Sequence, residues 1–224
     1  MKEPQYEEMR EVEQAFGRAV LGLSTNQSYV QDPKSIVFRA ARYKFVAHML
    51  RGKDKVLEVG CGDAFMSRIV QQETGMLTAV DFDPVLVRDA SERAIERWPI
   101  DLRVHDFLEG PIPEGFDAAY SLDVLEHIHP SEASLFVSNV CRSLTTDGVA
   151  VFGMPSLESQ EYASWGSRVG HVNCMSGSGL VTFLSSHFNH VFLFSMNDEV
   201  VHTGFSKMAH YLIGLCVVPK QPVA

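Results

Sequence analysis

Short apolar runs alternate with stretches of helical periodicity from residue 55 onwards. The apolar runs predict strands near residues 55–59, 77–81, 102–106, 116–121 and 148–153. The periodic stretches predict helices near residues 63–73, 84–97, 131–144 and 177–187. Such alternation with short connections is typical of parallel strands joined by right-handed crossovers, with helices on both faces of the sheet. We therefore predict an α/β protein whose ligand binds beyond the carboxyl ends of the strands.

The chain before the first strand has the pattern of two helices. Apolar residues recur at intervals of three and four from Tyr6 to Leu23, which predicts an amphipathic helix. The polar stretch Ser24–Gln31 is expected to break this helix. Asp32 and Pro33 then have the pattern of an N-cap followed by proline in the first turn, so a second helix should run to about residue 50.

The end of the first predicted strand carries the clearest motif. Glu58 is followed by Gly60 and Gly62, and glycines at this position let the backbone turn sharply and approach a ligand closely. The dinucleotide fingerprint requires a small residue three positions after the second glycine, where this chain has Phe65. The pattern Glu-x-Gly-x-Gly-x-Gly fits better, because the chain departs from it only by Ala64 in place of the last glycine. A plain tight turn is the alternative interpretation.

Acidic and aromatic residues also follow the second and third predicted strands. Asp81 is suited to accept hydrogen bonds from ribose hydroxyls, and Phe82 to cover an adenine face. The alternative role for Asp81, capping the next helix, is better filled by Asp83. Asp106 and Phe107 are suited to the amino group and ring edge of adenine, although an ordinary polar loop is nearly as consistent with them.

A family resemblance emerges after the fourth strand, where the chain has Asp123-Val124-Leu125-Glu126-His127. Taken with the glycine turn and the acids at the strand ends, this segment is similar to class I S-adenosylmethionine-dependent methyltransferases. The small-molecule branch that includes ubiquinone- and menaquinone-pathway O-methyltransferases is the most similar. The resemblance covers about residues 36–215.

The resemblance implies S-adenosyl-L-methionine as the cofactor and S-adenosyl-L-homocysteine as its product. The glycine turn would meet the methionine part, Asp81 the ribose, and the segment around Asp123 would pass close to the methionine moiety. Arg42, late in the capping helix, is a candidate clamp for the methionine carboxylate, with a solvated helix face as the alternative. The predicted cofactor-binding residues are Arg42, Glu58, Gly60, Cys61, Gly62, Asp81, Phe82, Asp106, Phe107, Leu122 and Asp123.

The last part of the chain completes the predicted fold. Residues 191–196 and 205–217 are expected to form an antiparallel hairpin whose last strand inserts beside the fifth, giving a seven-stranded, Rossmann-like class I methyltransferase sheet. Residues 154–176 lack clear periodicity, and such a long connection is often an active-site lid. We predict an N-terminal helical cap at residues 1–50 and one methyltransferase domain at residues 51–218 that contains this lid.

Methyl transfer from a sulfonium to a hydroxyl or amine requires alignment, exclusion of water and removal of a proton. Histidine suits the last task, so His171 and then His127 are the predicted catalytic residues, with His202 third. Each has an alternative role as a surface or capping residue. The predicted substrate-binding residues are Tyr162, Trp165, Arg168, Asn173 and His202.

No metal site is predicted from the sequence. His171 and Asn173 would have to join Asp123 as ligands, and their spacing resembles no standard ligand set. The four cysteines stand singly, without a CxxC pair, which favours free thiols in a reducing compartment.

The composition limits the partners. The formal net charge of −9 and the scattered basic residues argue against a nucleic-acid partner. No apolar run reaches the length of a membrane span, and the residues at Met1–Pro4 lack a signal-peptide core, so we expect a cytoplasmic protein. An exposed face on the first helix is compatible with a homodimer.

The predicted function is transfer of a methyl group from S-adenosylmethionine to a small-molecule acceptor. O-methylation of a sugar, nucleotide-linked sugar or phenol is favoured. Three alternatives stay open at this point: N-methylation of a small amine, an NAD(P)-dependent oxidoreductase, and a module that binds S-adenosylmethionine without catalysis.

Overall fold

One mixed sheet of eight strands organises the computed structural model, which describes residue 3 and residues 5–220. The strands are β1 (Lys55–Val59), β2 (Met76–Asp81), β3 (Asp101–Val104), β4 (Phe116–Leu122), β5 (Leu144–Pro155), β6 (Phe188–Asn197), β7 (Val200–His202) and β8 (Tyr211–Pro219). Their order in the sheet is β3-β2-β1-β4-β5-β8-β6-β7. The strands β1 to β5 are parallel, whereas β8 is antiparallel to both β5 and β6.

The predicted α/β class and the insertion of the last strand beside β5 are confirmed. The strand count of seven is wrong by one, because Val200–His202 forms an additional strand in the connection between β6 and β8. This β7 pairs with the end of β6, with Ser195 opposite His202. The pairing requires a reversal within two residues, and Asp198 provides it with a φ of 49°.

The described helices are α1 (Gln5–Phe16), α2 (Leu23–Gln31), α3 (Ser35–Met49), α4 (Ser67–Gln71), α5 (Pro84–Glu92), α6 (Pro130–Ser143), α7 (Trp165–Gly170) and α8 (Gly177–Ser185). The predicted capping by Asp83 is present, since its side chain accepts a hydrogen bond from the Val85 amide. Among the described residues, none of these helices has the length and apolar character needed to cross a membrane.

The N-terminal region has three described helices, so the predicted pair is wrong. The stretch Ser24–Gln31, predicted as a break, lies within α2. Asp32 is the C-cap of α2, and Lys34 precedes α3 as its N-cap. Hydrogen bonds from Ser24 and Thr25 to a distant carboxylate, described below, hold α2 in place, and the local polar pattern carries no sign of them. Residues 1, 2 and 4 of the predicted cap lie outside the described residues.

The sheet has an apolar core on each face. On one face, Val46 and Leu50 of α3 pack with strand residues such as Val56. On the other, Phe136 of α6 and Leu180 of α8 belong to the second cluster. Because both faces are covered, the open edge for a polar ligand is the one formed by the carboxyl ends of the parallel strands.

The predicted lid, residues 154–176, has short helical structure that its sequence pattern did not reveal. It contains a 3₁₀ helix at Glu158–Tyr162 and α7 at Trp165–Gly170. An isolated bridge between Ser156 and Met175 closes its base. The lid therefore leaves and rejoins the sheet at one point.

Candidate active site

The turn after β1 has the left-handed backbone conformation that glycine permits. Gly60 and Gly62 have φ values of 78° and 55°. The amides of Gly60 and Cys61 donate to the Val80 carbonyl at 2.8 and 3.0 Å, which ties the turn to the end of β2. A Cβ atom at Gly60 would collide with the side chain of Val124. Glycine is therefore required at position 60 for both conformation and space.

Asp81 is attached to the same turn. Its Oδ2 atom accepts a hydrogen bond from the Gly62 amide at 2.8 Å, and its Oδ1 atom accepts one from the Asp83 amide at 3.0 Å. The side chain is buried, which fixes its direction. A carboxylate has about four lone-pair sites, so it retains acceptors for two further donors.

Two cavities flank the glycine turn, one of about 550 Å³ and one of about 150 Å³. Gly60, Gly62 and Asp123 line both, so the cavities meet at these residues. A larger depression of about 770 Å³ lies near the start of β5 and contains none of the predicted site residues. The two cavities at the turn lie at the carboxyl ends of the strands, since Gly60 follows β1 and Asp123 follows β4.

Most predicted cofactor residues lie in these cavities. The larger one contains Asp81, Phe82, Asp106 and Phe107 in addition to the shared residues. The smaller one contains Cys61 and Leu122. The structure adds lining residues that were not predicted as cofactor contacts, among them Leu86, His105 and Ile128 in the larger cavity and Arg39 and Phe65 in the smaller one.

Arg42, predicted to clamp the methionine carboxylate, is instead paired within the protein. Its Nη1 atom donates to both carboxylate oxygens of Asp123, at 2.8 and 2.7 Å. Its guanidinium lies over the Tyr211 ring, 3.8 Å from the centroid. Burial, the largest single effect, acts to lower the pKa of Arg42, but the charge and hydrogen bond of Asp123, together with Tyr211 and Glu126, raise it overall. Asp123 has a φ of 57°, which is uncommon for a residue other than glycine.

Glu58 does not line either cavity. Its Oε1 atom accepts a hydrogen bond from the Tyr43 hydroxyl at 2.8 Å, and the side chain is buried. Burial raises the pKa of Glu58 to about 7, although hydroxyl groups that face it, including those of Ser67 and Tyr43, act in the opposite sense. Glu58 can therefore affect cofactor binding only indirectly, by positioning Tyr43 or the glycine turn.

The structure brings His127 and His171 together. Their ring centroids are 5.1 Å apart in an edge-to-face arrangement. His127 Nδ1 lies 2.9 Å from the carbonyl oxygen of Gly170, and His171 Nδ1 lies 2.9 Å from Oε1 of Gln160. Burial, and after it His127, lower the pKa of His171, while Asp123 acts in the opposite sense. His127 also lines the larger cavity, so the pair stands at its edge.

Residues 56–148 match the family model described as a methyltransferase domain. This segment makes up less than half of the 224-residue chain. A probable S-adenosylmethionine-dependent methyltransferase from Mycolicibacterium smegmatis is 31% identical over 116 residues, which are 51% of this chain and 42% of that protein. A ubiquinone biosynthesis O-methyltransferase from Xanthomonas campestris pv. campestris is 32% identical over 101 residues, 44% of this chain and 41% of that protein.

Solved structures agree on the fold. The N-methyltransferase NodS from Bradyrhizobium japonicum WM9, in complex with S-adenosyl-L-homocysteine, has a TM-score of 0.61 and 17% identity. The alignment covers 93% of this chain and 99% of that chain. At this identity the likeness shows the fold alone. The predicted resemblance to class I methyltransferases is confirmed, and the matched segments span less than half the length of the two curated relatives.

The predicted substrate-binding residues lie outside both cavities. Tyr162 and Trp165 are 84% and 82% exposed. Arg168 donates to the backbone carbonyls of Ala163 and Glu161, so its guanidinium stabilises the lid itself.

The other two predicted substrate residues also have hydrogen-bond partners within the protein. Asn173 is buried and donates to the Leu125 carbonyl at 3.3 Å. His202 lies on β7, and its Nε2 atom is 2.8 Å from Oδ1 of Asn197. The structure does not bring His202 to either cavity, because β7 forms the far edge of the sheet.

Proposed function

We propose that this protein transfers a methyl group from S-adenosyl-L-methionine to a hydroxyl group of a small-molecule acceptor. The observation that carries the proposal is the pair of cavities that meet at Gly60, Gly62 and Asp123. A ligand with two arms on a central sulfur matches this arrangement, with one arm in each cavity. The methyltransferase match over residues 56–148 favours this ligand over a nicotinamide dinucleotide.

The larger cavity suits the adenosine arm. Asp81 retains acceptor sites for the two ribose hydroxyls, because its two protein donors occupy only part of its capacity. Phe82 is 72% exposed and lines the same cavity, so its ring is available to cover the adenine. Asp106, at the end of the neighbouring strand, offers an acceptor for the adenine amino group.

The smaller cavity suits the methionine arm. Arg39 lines it and is our candidate for the methionine carboxylate, since Arg42 is paired with Asp123. Asp123 also lines this cavity and offers a carboxylate to the ammonium group. Arg39 and Tyr43 are four residues apart in α3, so one face of that helix supplies both.

The transfer is an in-line displacement at the methyl carbon. The acceptor oxygen forms a bond to this carbon while the carbon–sulfur bond breaks, and the electron pair of that bond neutralises the sulfonium. The protein must align the two atoms and exclude water. His127 lines the larger cavity together with Asp123, where the two cavities meet, and His171 lies beside His127. This arrangement supports their predicted place beside the reacting hydroxyl.

Calorimetric titration and a labelling assay test the proposal. We expect S-adenosyl-L-homocysteine to bind and NADH not to bind. The Asp81→Asn variant should weaken S-adenosyl-L-homocysteine binding by about tenfold or more, because a hydrogen bond to a charged acceptor contributes roughly 1.5–3 kcal/mol. An Asp101→Asn variant, altered at an exposed carboxylate, is the matched control. Unchanged affinity in Asp81→Asn would contradict the assignment.

Methyl-labelled cofactor then tests turnover with phenols, catechols, sugars and amines as acceptors. Label in a hydroxyl compound supports the proposal. Label in amines alone would make the protein an N-methyltransferase, the alternative that the acceptor chemistry leaves open. Cofactor binding without label in any acceptor pool would favour a binding module.

A further inference from the structure

Glu126, His127 and His171 form a cluster with the donor atoms of a metal site. One carboxylate oxygen and one ring nitrogen from each histidine lie within 4.8 Å of one another. Ligands around a first-row divalent cation are bound at about 2.0–2.2 Å, so small side-chain movements would bring all three onto one ion. The sequence analysis assigned no role to Glu126, because spacing along the chain does not show that it lies beside His171.

Hydrogen bonds orient both histidines as metal ligands. The Gly170 carbonyl can only accept, so Nδ1 of His127 must donate to it, which leaves the lone pair on Nε2. His171 is held in the same way by Oε1 of Gln160. The amide nitrogen of Gln160 donates to Ser156, and this fixes which end of the amide faces His171. A ligating histidine almost always donates its other ring nitrogen to an oxygen in this manner.

Glu126 completes the set with an unpaired buried oxygen. The residue is 1% exposed, and its Oε2 atom has no hydrogen-bond partner among the described residues. Its backbone carbonyl accepts from the amides of Val172 and Asn173, at 2.9 and 3.0 Å. The segment after β4 is therefore joined directly to the lid beside His171. An unpaired buried carboxylate is costly, and a cation would compensate it.

We infer that Glu126, His127 and His171 bind one divalent transition-metal cation that holds the acceptor hydroxyl beside the cofactor methyl group. Carboxylate and imidazole donors suit Mn²⁺, Co²⁺ or Zn²⁺ better than Mg²⁺. Three protein ligands leave open coordination positions. The acceptor class is then a compound with two adjacent oxygen atoms, such as a catechol or a vicinal hydroxycarbonyl, and this part rests on the proposed function.

The cation changes how the hydroxyl is activated. Binding to a metal lowers the pKa of a hydroxyl group, so its proton is released to solvent water. The resulting oxygen anion attacks the methyl carbon, and the electron pair of the broken bond goes to sulfur. The two histidines then act as ligands, and neither has to remove the proton.

Metal binding is measured first, without turnover. Chelator-treated protein is titrated with MnCl₂ and followed by electron paramagnetic resonance. We expect one Mn²⁺ per chain, with nitrogen couplings from two imidazoles in the pulsed spectrum of the wild type. Glu126→Gln and His171→Ala should weaken Mn²⁺ binding by about tenfold or more, and Gln160→Ala by about 10–100-fold. His190→Ala, altered at an exposed histidine on β6, should bind as the wild type does.

Turnover then separates this inference from the proposed function. We expect chelator to abolish methyl transfer to a catechol and MnCl₂ or CoCl₂ to restore it. If the wild type binds no Mn²⁺ and turns over equally in chelator, the metal inference is overturned while the methyltransferase stands, with the histidines as bases. If Mn²⁺ binds with imidazole couplings but no acceptor is methylated, the metal site stands and the proposed function fails. The wild-type spectrum decides even if the variants fail to fold.

Discussion

Glu58 is a motif residue that stabilises the fold without lining the cofactor cavities. It is the acid of the Glu-x-Gly-x-Gly motif, and the pattern predicted a cofactor contact. Its carboxylate is buried against the Tyr43 hydroxyl, and Tyr43 lines the smaller cavity. Because Glu58 is buried, it does not reach the cavities, and its protonation state affects the free energy of unfolding.

Stability should therefore depend on pH through Glu58. Burial raises its pKa from 4.5 to about 7, so between these pH values the folded state keeps a proton that the unfolded state has released. The free energy of unfolding falls as pH rises through this window. The Glu58→Gln variant lacks this ionisable group. Its free energy of unfolding, relative to that of the wild type, should therefore increase by about 3 kcal/mol from pH 4.5 to above 7.

Urea unfolding at a series of pH values measures this difference. Glu96→Gln, altered at an exposed carboxylate, serves as the control and should follow the wild type at every pH. A constant difference between Glu58→Gln and the wild type across the window would show that Glu58 is ionised in the folded protein.

Among the elements, α2 is held in position by one distant residue, Asp63. The Asp63 carboxylate accepts from Ser24 Oγ at 2.9 Å and from Thr25 through both its amide and its hydroxyl, at 2.7 and 3.0 Å. The Phe65 amide donates to it as well, at 3.1 Å. One buried carboxylate thus joins α2 to the glycine turn and places Ser24 and Thr25 on the smaller cavity.

Removal of the Asp63 carboxylate should lower both the stability of the protein and its affinity for the cofactor product. Asp63→Ala leaves donors of Ser24, Thr25 and Phe65 without their acceptor, and we expect a loss of about 2–4 kcal/mol in unfolding free energy. The affinity for S-adenosyl-L-homocysteine should fall as well, because α2 lines its predicted site. Denaturant unfolding and calorimetry measure the two effects. Asp32→Ala, at an exposed carboxylate, should change neither by much, and an equal loss there would refute the specific role of Asp63.

For the molecule as a whole, the structure supports a cap and a sheet that unfold together. Val46, Ala47 and Leu50 at the end of α3 are buried in the same core as β1 and β2. α3 also contacts α4 and β7, so the predicted boundary near residue 50 falls within a packed region. The division into a cap at residues 1–50 and a domain at residues 51–218 stays a prediction.

Thermal unfolding tests this together with the ligand. Far- and near-ultraviolet circular dichroism should report one coincident transition. S-adenosyl-L-homocysteine at 100 times its Kd should add about 2.7 kcal/mol and raise the Tm by roughly 5–10 °C, since it binds only the folded state. NADH at the same concentration is the control and should leave the Tm unchanged. Two separated transitions would mean that the cap folds independently of the sheet.

From β1 to β5, local patterns were sufficient for the order of the strands and helices and for the residues at the strand ends. Hydrophobic periodicity records burial, and parallel strands bring their carboxyl ends to one edge, so Asp81, Asp106 and Asp123 could be placed near one ligand. The resemblance to methyltransferases followed from the same positions. The prediction that Ser24–Gln31 breaks the helix was wrong for a related reason. These polar residues show no helical periodicity, because α2 is stabilised by hydrogen bonds to Asp63 and not by an apolar face.

The sequence by itself determined the class of fold, the glycine turn and the kind of ligand that such a turn receives, because these depend on residues adjacent in the chain. Only the tertiary structure decided which charged groups pair across long separations. Arg42 meets Asp123, 81 positions away along the chain. Likewise, the contact of His171 with His127 depends on how the lid rejoins the sheet. Spacing along a chain does not encode such distances, because folding sets them through the packing of whole elements.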